Sequence, residues 1–153
     1  MIKFLSRLIK LGLVAMLGAA AVAKFMLQSN AEPSTQEVDM VAIYGGEDLV
    51  SVADPFYGGK ILTMFGGTRL DLRQTRPAPT GIYLDLAVVA GGVELIIPKG
   101  WRVHFTGNTI AAGFDDATAS TADRDSVQVH VGGFVIAGGV HVTNKSYEEA
   151  AAE

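Results

Sequence analysis

From Asp39 onward, apolar and polar residues alternate with period two in several short runs. In Thr68-Arg69-Leu70-Asp71-Leu72-Arg73, the leucines face one way and Arg69, Asp71 and Arg73 the other. Ile82, Leu84 and Leu86 form the apolar phase of the next run. Trp101, Val103 and Phe105 form another, and Val127, Val129 and Val131 a fourth. Such alternation predicts half-buried β-strands, because successive side chains point to opposite faces of an extended chain. No helical periodicity interrupts residues 39–145, so the pattern predicts an all-β body. Residues 146–153, SYEEAAAE, favour helix by composition and read as a short helical cap or a frayed tail.

Paired glycines punctuate the strands. An apolar stretch runs into Gly-Gly, or once a single Gly, in MFGGTRLDL, VAGGVELII, AAGFDD and IAGGVHVTN. The recurring glycine falls at Gly67, Gly92, Gly113 and Gly139, a near-even spacing. A strand-and-turn unit repeating at this spacing predicts a β-solenoid-like domain of the single-stranded β-helix type. An ordinary β-sandwich with glycine at its bulges is the competing arrangement, but it gives no reason for even spacing. Stacked units would align Leu70, Leu95 and Val142 in the core. The same alignment sets Arg69, Glu94 and His141 in an outward row, with Arg69 and Glu94 as a cross-strand ion pair.

Residues 1–28 follow a different pattern. LGLVAMLGAAAVA (11–23) is uncharged and lies between Lys10 and Lys24, with Phe-Met-Leu following. Drawn as a helix from Leu11 to Gln28, it would be about 27 Å long, near the thickness of the hydrocarbon core. Lys3, Arg7 and Lys10 then share one basic stripe. Two main readings compete, a transmembrane helix with its N-terminus in the cytoplasm or a signal segment cleaved after Ala21-Val22-Ala23, with a helix lying on the membrane surface as a lesser third. Both main readings place the β domain outside the cytoplasm. The polar stretch QSNAEPSTQEV (28–38) reads as a linker. The expected organisation is therefore an anchor or signal segment at 1–28, a linker at 29–38, the β domain at 39–145 and a tail at 146–153.

Charge sharpens this division. The net charge is −4, but residues 1–28 carry four basic side chains and no acid. The remainder carries eight basic and sixteen acidic side chains. A basic apolar head on an acidic body argues for a membrane partner and against nucleic acid, which would require positive charge on the folded domain. The absence of cysteine excludes disulfides, thiolate metal sites and thiol nucleophiles.

The remaining polar residues show no catalytic pattern. His104, His130 and His141 fall on outward phases without the ligand spacing of a zinc site. Asp115, Asp116, Asp123 and Asp125 gather in FDDATASTADRD, but not at the spacing of a calcium loop. A solvated loop is the expectation there. There is no nucleophile elbow or phosphate-binding loop; the glycine pairs precede strands, so they present no helix N-terminus to a phosphate. Asp71 and Asp85 lie on outward phases, with nothing to oppose them as a glycosidase pair. Trp101 reads as a core residue at a corner, because its ring buries a large area. No catalytic, cofactor-binding or metal-binding residue is assigned, and the chain is read as noncatalytic.

Three segments together carry a family resemblance: FGGTRLDL (65–72), IYLDLAVVAGGVELIIPKGWRV (82–103) and VQVHVGGFVIAGGVHVTN (127–144). Their order, and the Ile-Pro-x-x-Trp motif ending at Trp101, resemble the LiaF-like C-terminal domain of cell-wall-active antibiotic response proteins, a toastrack-type module. The resemblance covers about residues 40–145. It implies a solenoid-like, noncatalytic, membrane-attached domain in bacterial envelope-stress sensing, with another membrane protein such as a sensor kinase as partner. The chain departs from the family in having one candidate membrane segment instead of several, and in carrying Ala90 and Ala137 where an aromatic precedes the glycine pair. The expected role is binding a membrane protein, lipid or wall component. A self-assembling scaffold at the membrane, built from open strand edges and giving homo-oligomers, is the alternative.

Overall fold

The computed structural model describes residues 2–26, 29–118 and 125–145. It is mostly β, with a parallel sheet and one N-terminal helix. The elements are α1 (Ile2–Met26), β1 (Glu37–Val50), β2 (Gly58–Asp71), β3 (Ile82–Ile96), β4 (Arg102–Phe105), β5 (Asn108–Asp116) and β6 (Gln128–Thr143). All the pairings between these strands are parallel.

The four long strands have 14 to 16 residues, well beyond the short runs legible in the sequence. The reason lies at the glycine pairs. Each strand passes through its pair and keeps its ladder on the far side. Gly45 is in register with Gly66, Gly66 with Gly91 and Gly91 with Gly138. Alternation shifts phase at the bend: Val88 and Val93 are both buried in β3, as are Val135 and Val140 in β6. A period-two scan therefore loses each strand at its own glycines.

Spatial order departs from chain order. The path is β1-β2-β3-β6-β4, with β5 also paired to β6. The chain leaves β3, lays down β4 and β5 one place too far, and returns to fill the gap with β6. Composition explains the exchange. β6 buries Val129, Val131, Val135, Val140 and Val142, so it gains most from a neighbour on each side. β5 carries Asn108, Asp115 and Asp116, which suit a margin.

The core is one continuous row of aliphatic side chains, including Met40, Leu70, Leu84, Leu95 and Val142. Leu70 is in register with Leu95, and Leu95 with Val142, as the repeat predicts. Asp71 keeps its outward phase, in register with Ile96 and lining the surface, yet it is covered there. It is buried beside Arg73, whose Nε donates to it at 2.9 Å and whose Nη1 donates to the Lys145 carbonyl at 3.1 Å. Its burial comes from the Arg73 guanidinium, which closes over the carboxylate.

Residues 29–36 are bonded to the sheet. Asn30 bridges to Asp39 on β1, the Pro33 carbonyl accepts from Val52 N–H, and the Gln36 carbonyl accepts from Tyr57 N–H.

The helix differs from the expected span. It starts at Ile2 and places Lys3, Arg7 and Lys10 within its own turns. Among the described residues, no helix is long and apolar enough to cross a membrane. The uncharged run 11–23 would be about 20 Å long as a helix, against about 30 Å of hydrocarbon. The described part of the helix therefore does not supply the span drawn from the sequence. The described side chains of α1 are exposed, Phe4, Leu8, Leu11 and Val14 among them.

Candidate functional site: a charged ridge beside a glycine-floored groove

Parallel register turns single residues into rows about 4.8 Å apart. One row runs Asp48, Arg69, Glu94, His141 and Asp115 across β1, β2, β3, β6 and β5. Acidic side chains alternate with Arg69 and His141 along it. Arg69 Nε donates to Glu94 Oε2 at 2.7 Å. His141 Nδ1 lies 2.9 Å from Asp115 Oδ2. The Arg69 guanidinium is held above its ordinary pKa, first by its hydrogen bond to Glu94, then by the charges of Glu94, Asp48 and Asp71.

Two grooves flank this ridge. The first, about 690 Å³, lies over Gly46, Gly67, Gly92, Gly113 and Gly139. The second, about 540 Å³, is more polar and reaches Asp71, Arg73 and Lys145. Asp48, Arg69, Glu94 and His141 border both.

The two glycines of each pair differ in what the fold demands of them. At Gly66, Gly91 and Gly138 an added Cβ would meet the neighbouring strand's carbonyl oxygen at 1.9, 2.0 and 1.7 Å, so no side chain fits. At Gly67 and Gly92 the nearest atom lies at 3.9 and 3.7 Å, and neither has a left-handed φ. Glycine within a strand costs roughly 0.5–1 kcal/mol relative to alanine. At Gly67 and Gly92 this cost is not required by packing, and its effect is to keep that part of the groove floor bare, whereas at Gly139 the added atom would lie 3.3 Å from the Gly113 oxygen.

A second row lies on the outward surface near the other bend. Tyr83, His130 and His104 are in register. Tyr83 stacks on His130 at 4.7 Å, and His104 meets His130 edge-on at 6.2 Å. Among the described residues, no three His, Asp, Glu or Cys side chains gather to hold a metal.

The sequence-derived positions divide as follows. Arg69, Glu94 and His141 come together as the repeat implies, and the Arg69–Glu94 pair forms. Asp115 joins His141 on β5, apart from the acidic loop in which the sequence places it. Asp123 and residues 146–153 lie outside the described residues. Asp85 is exposed and Asp71 buried. Trp101 is half-buried against the core. Sequence reasoning misses Asp48. The signal was available: Gly46 precedes Gly67 by the same interval that separates Gly92 from Gly113.

Comparison with protein-family models, with curated proteins and with solved structures returns no match to this chain.

Proposed function

We propose that the chain is a noncatalytic, membrane-associated module of the bacterial cell envelope, with a LiaF-like β-solenoid that binds a peptide-bearing envelope component in the glycine-floored groove. The in-register glycine columns support the solenoid reading, since each long strand bends at the same place and stacks on its neighbour. The three ordered segments at 65–72, 82–103 and 127–144 support the family reading.

The groove beside the Asp48–Asp115 row carries the functional reading. It is open, lined largely by backbone and short side chains, and edged by Asp48, Arg69, Glu94, His141 and Asp115. An extended ligand with both amines and carboxylates, such as a wall peptide or an exposed segment of a membrane protein, meets complementary groups along that edge. A bare floor admits the ligand's backbone close to that of the protein.

The exposed α1 supplies the membrane part of the reading. Lys3, Arg7 and Lys10 mark a cationic end suited to anionic headgroups, and the apolar run beyond them can enter the interface without crossing it. Removal of α1 as an export signal leads to the same destination.

Titration of the full chain with purified wall peptides, followed by NMR or calorimetry, tests this reading. Saturable binding that Arg69→Glu reduces at least tenfold supports it. Binding unaffected by Arg69→Glu and by Gly92→Leu overturns the groove as the site.

A further inference from the structure

The two margins of the sheet are built differently. The β1 margin is closed. Asn30 exchanges backbone hydrogen bonds with Asp39, and Glu47 folds back so that its Oε2 accepts from Val41 N–H at 2.8 Å. β1 also carries four acids, Glu37, Asp39, Glu47 and Asp48, which oppose the approach of a like strand. Beneath it, Val38 and Met40 are fully buried.

The other margin, formed by β4 and β5, carries charge only at its ends, Arg102 on β4 and Asp115 and Asp116 on β5. Among the described residues, no strand lies beyond it. From Val103 to Phe114 there is no Lys, Arg, Asp or Glu, and no proline. The end of the core shows through: Val103, Phe105, Ala112 and Phe114 are only partly buried, with Phe105 stacked on Phe114 at 4.3 Å. Ile110 is 78% exposed, more than any other large apolar side chain of the sheet.

We propose that two copies of the chain join through the outer edge of β5, antiparallel and about a two-fold axis, into a dimer that grows no further. A strand edge paired antiparallel with itself satisfies the outward N–H and C=O groups of both copies, so an identical margin is a complementary partner. Centred near Ala112, the pairing sets Asp115 and Asp116 opposite Thr109 and Asn108 of the second copy, so no two acids face each other. Because the β1 margin is closed, the dimer has no free edge to extend from. The charge row and the groove play no part in this argument, so the dimer stands or falls separately from the proposed ligand.

The absence of cysteine makes the test direct. Ala111→Cys introduces a single exposed thiol next to the proposed axis, and Asp39→Cys places one on the closed margin. The full-length chain, in detergent and in vesicles, is treated with a short bis-maleimide. The expected result is a covalent dimer from Ala111→Cys, nothing larger, and at most a trace from Asp39→Cys. Ile110→Lys, at a site already exposed, puts a charge on the open margin. In the Ala111→Cys background it lowers the dimer yield at least fivefold and leaves the circular dichroism spectrum unchanged. A monomer at every concentration, equal crosslinking from both margins, a ladder of higher species, or a dimer indifferent to Ile110→Lys each overturns the proposal.

Discussion

At the scale of single residues, the glycines separate into two chemical roles. Gly138 has φ +119° and its missing Cβ would sit 1.7 Å from the Gly91 oxygen. Gly138→Ala is expected to destabilise the fold by at least about 3 kcal/mol, since backbone must move to admit the methyl. Gly67→Ala, where contacts are ordinary, should range from neutral to about 1 kcal/mol stabilising. Urea unfolding of the two variants measures the contrast, and equal losses would remove the distinction on which the bare floor rests. The ion pairs divide in the same way. Arg69–Glu94 is solvated, so Arg69→Ala should cost no more than about 1 kcal/mol. The raised Arg69 pKa means that this contribution is present below the ordinary guanidinium range and is lost only as pH climbs through the folded value. Between pH 5 and 9 the arginine side of the pair adds no pH dependence. Asp71–Arg73 is buried, and Asp71→Ala should cost about 3 kcal/mol by taking the carboxylate from a guanidinium that keeps only neutral partners such as the Lys145 carbonyl.

At the scale of the element, the question is how a strand bends without losing its ladder. Tyr44 and Phe65, just before their glycine pairs, both hold φ +56°, a costly conformation for a bulky residue. Their rings stack at 5.4 Å, which offsets part of that cost. Inside the β2 bend, the buried hydroxyls of Thr63 and Thr68 meet at 2.8 Å. Thr68→Val should cost about 1–3 kcal/mol by leaving Thr63 without that partner, whereas Thr63→Val with Thr68→Val together should recover most of the loss. A thermal-denaturation double-mutant cycle reads the coupling, and simple additivity would mean that the pair does not hold the bend. Elsewhere along each strand, burial alternates as the sequence suggests. Asp71 keeps the alternation too, and is buried because Arg73 covers it.

At the scale of the whole molecule, closure of one margin and exposure of the other govern how copies meet. Combining Asn30→Pro with Glu47→Ala removes a backbone donor and the carboxylate that guard β1. The expected outcome is assembly beyond the dimer, seen as a concentration-dependent rise in light scattering. Unchanged scattering would show that the acids of β1 suffice alone. The ridge also exists only at this scale. Asp48 and Asp115 are far apart along the chain, with three strands begun and ended between them, yet they are the two ends of one row.

The sequence by itself determined the strand character of 39–145, the bends at glycine pairs, the core row through Leu70, Leu95 and Val142, and the Arg69–Glu94 contact. Each follows from local alternation and a near-constant repeat, and parallel stacking preserves both. Tertiary structure alone decided that β6 lies between β3 and β5, that Asp71 is buried, and that one margin is closed while the other is open. These depend on which strand gains most from two neighbours and on which distant backbone groups find partners, competitions that no local pattern encodes. The helix draws on both: composition supplied an apolar run beside basic residues, and among the described residues no helix is long and apolar enough to cross a membrane.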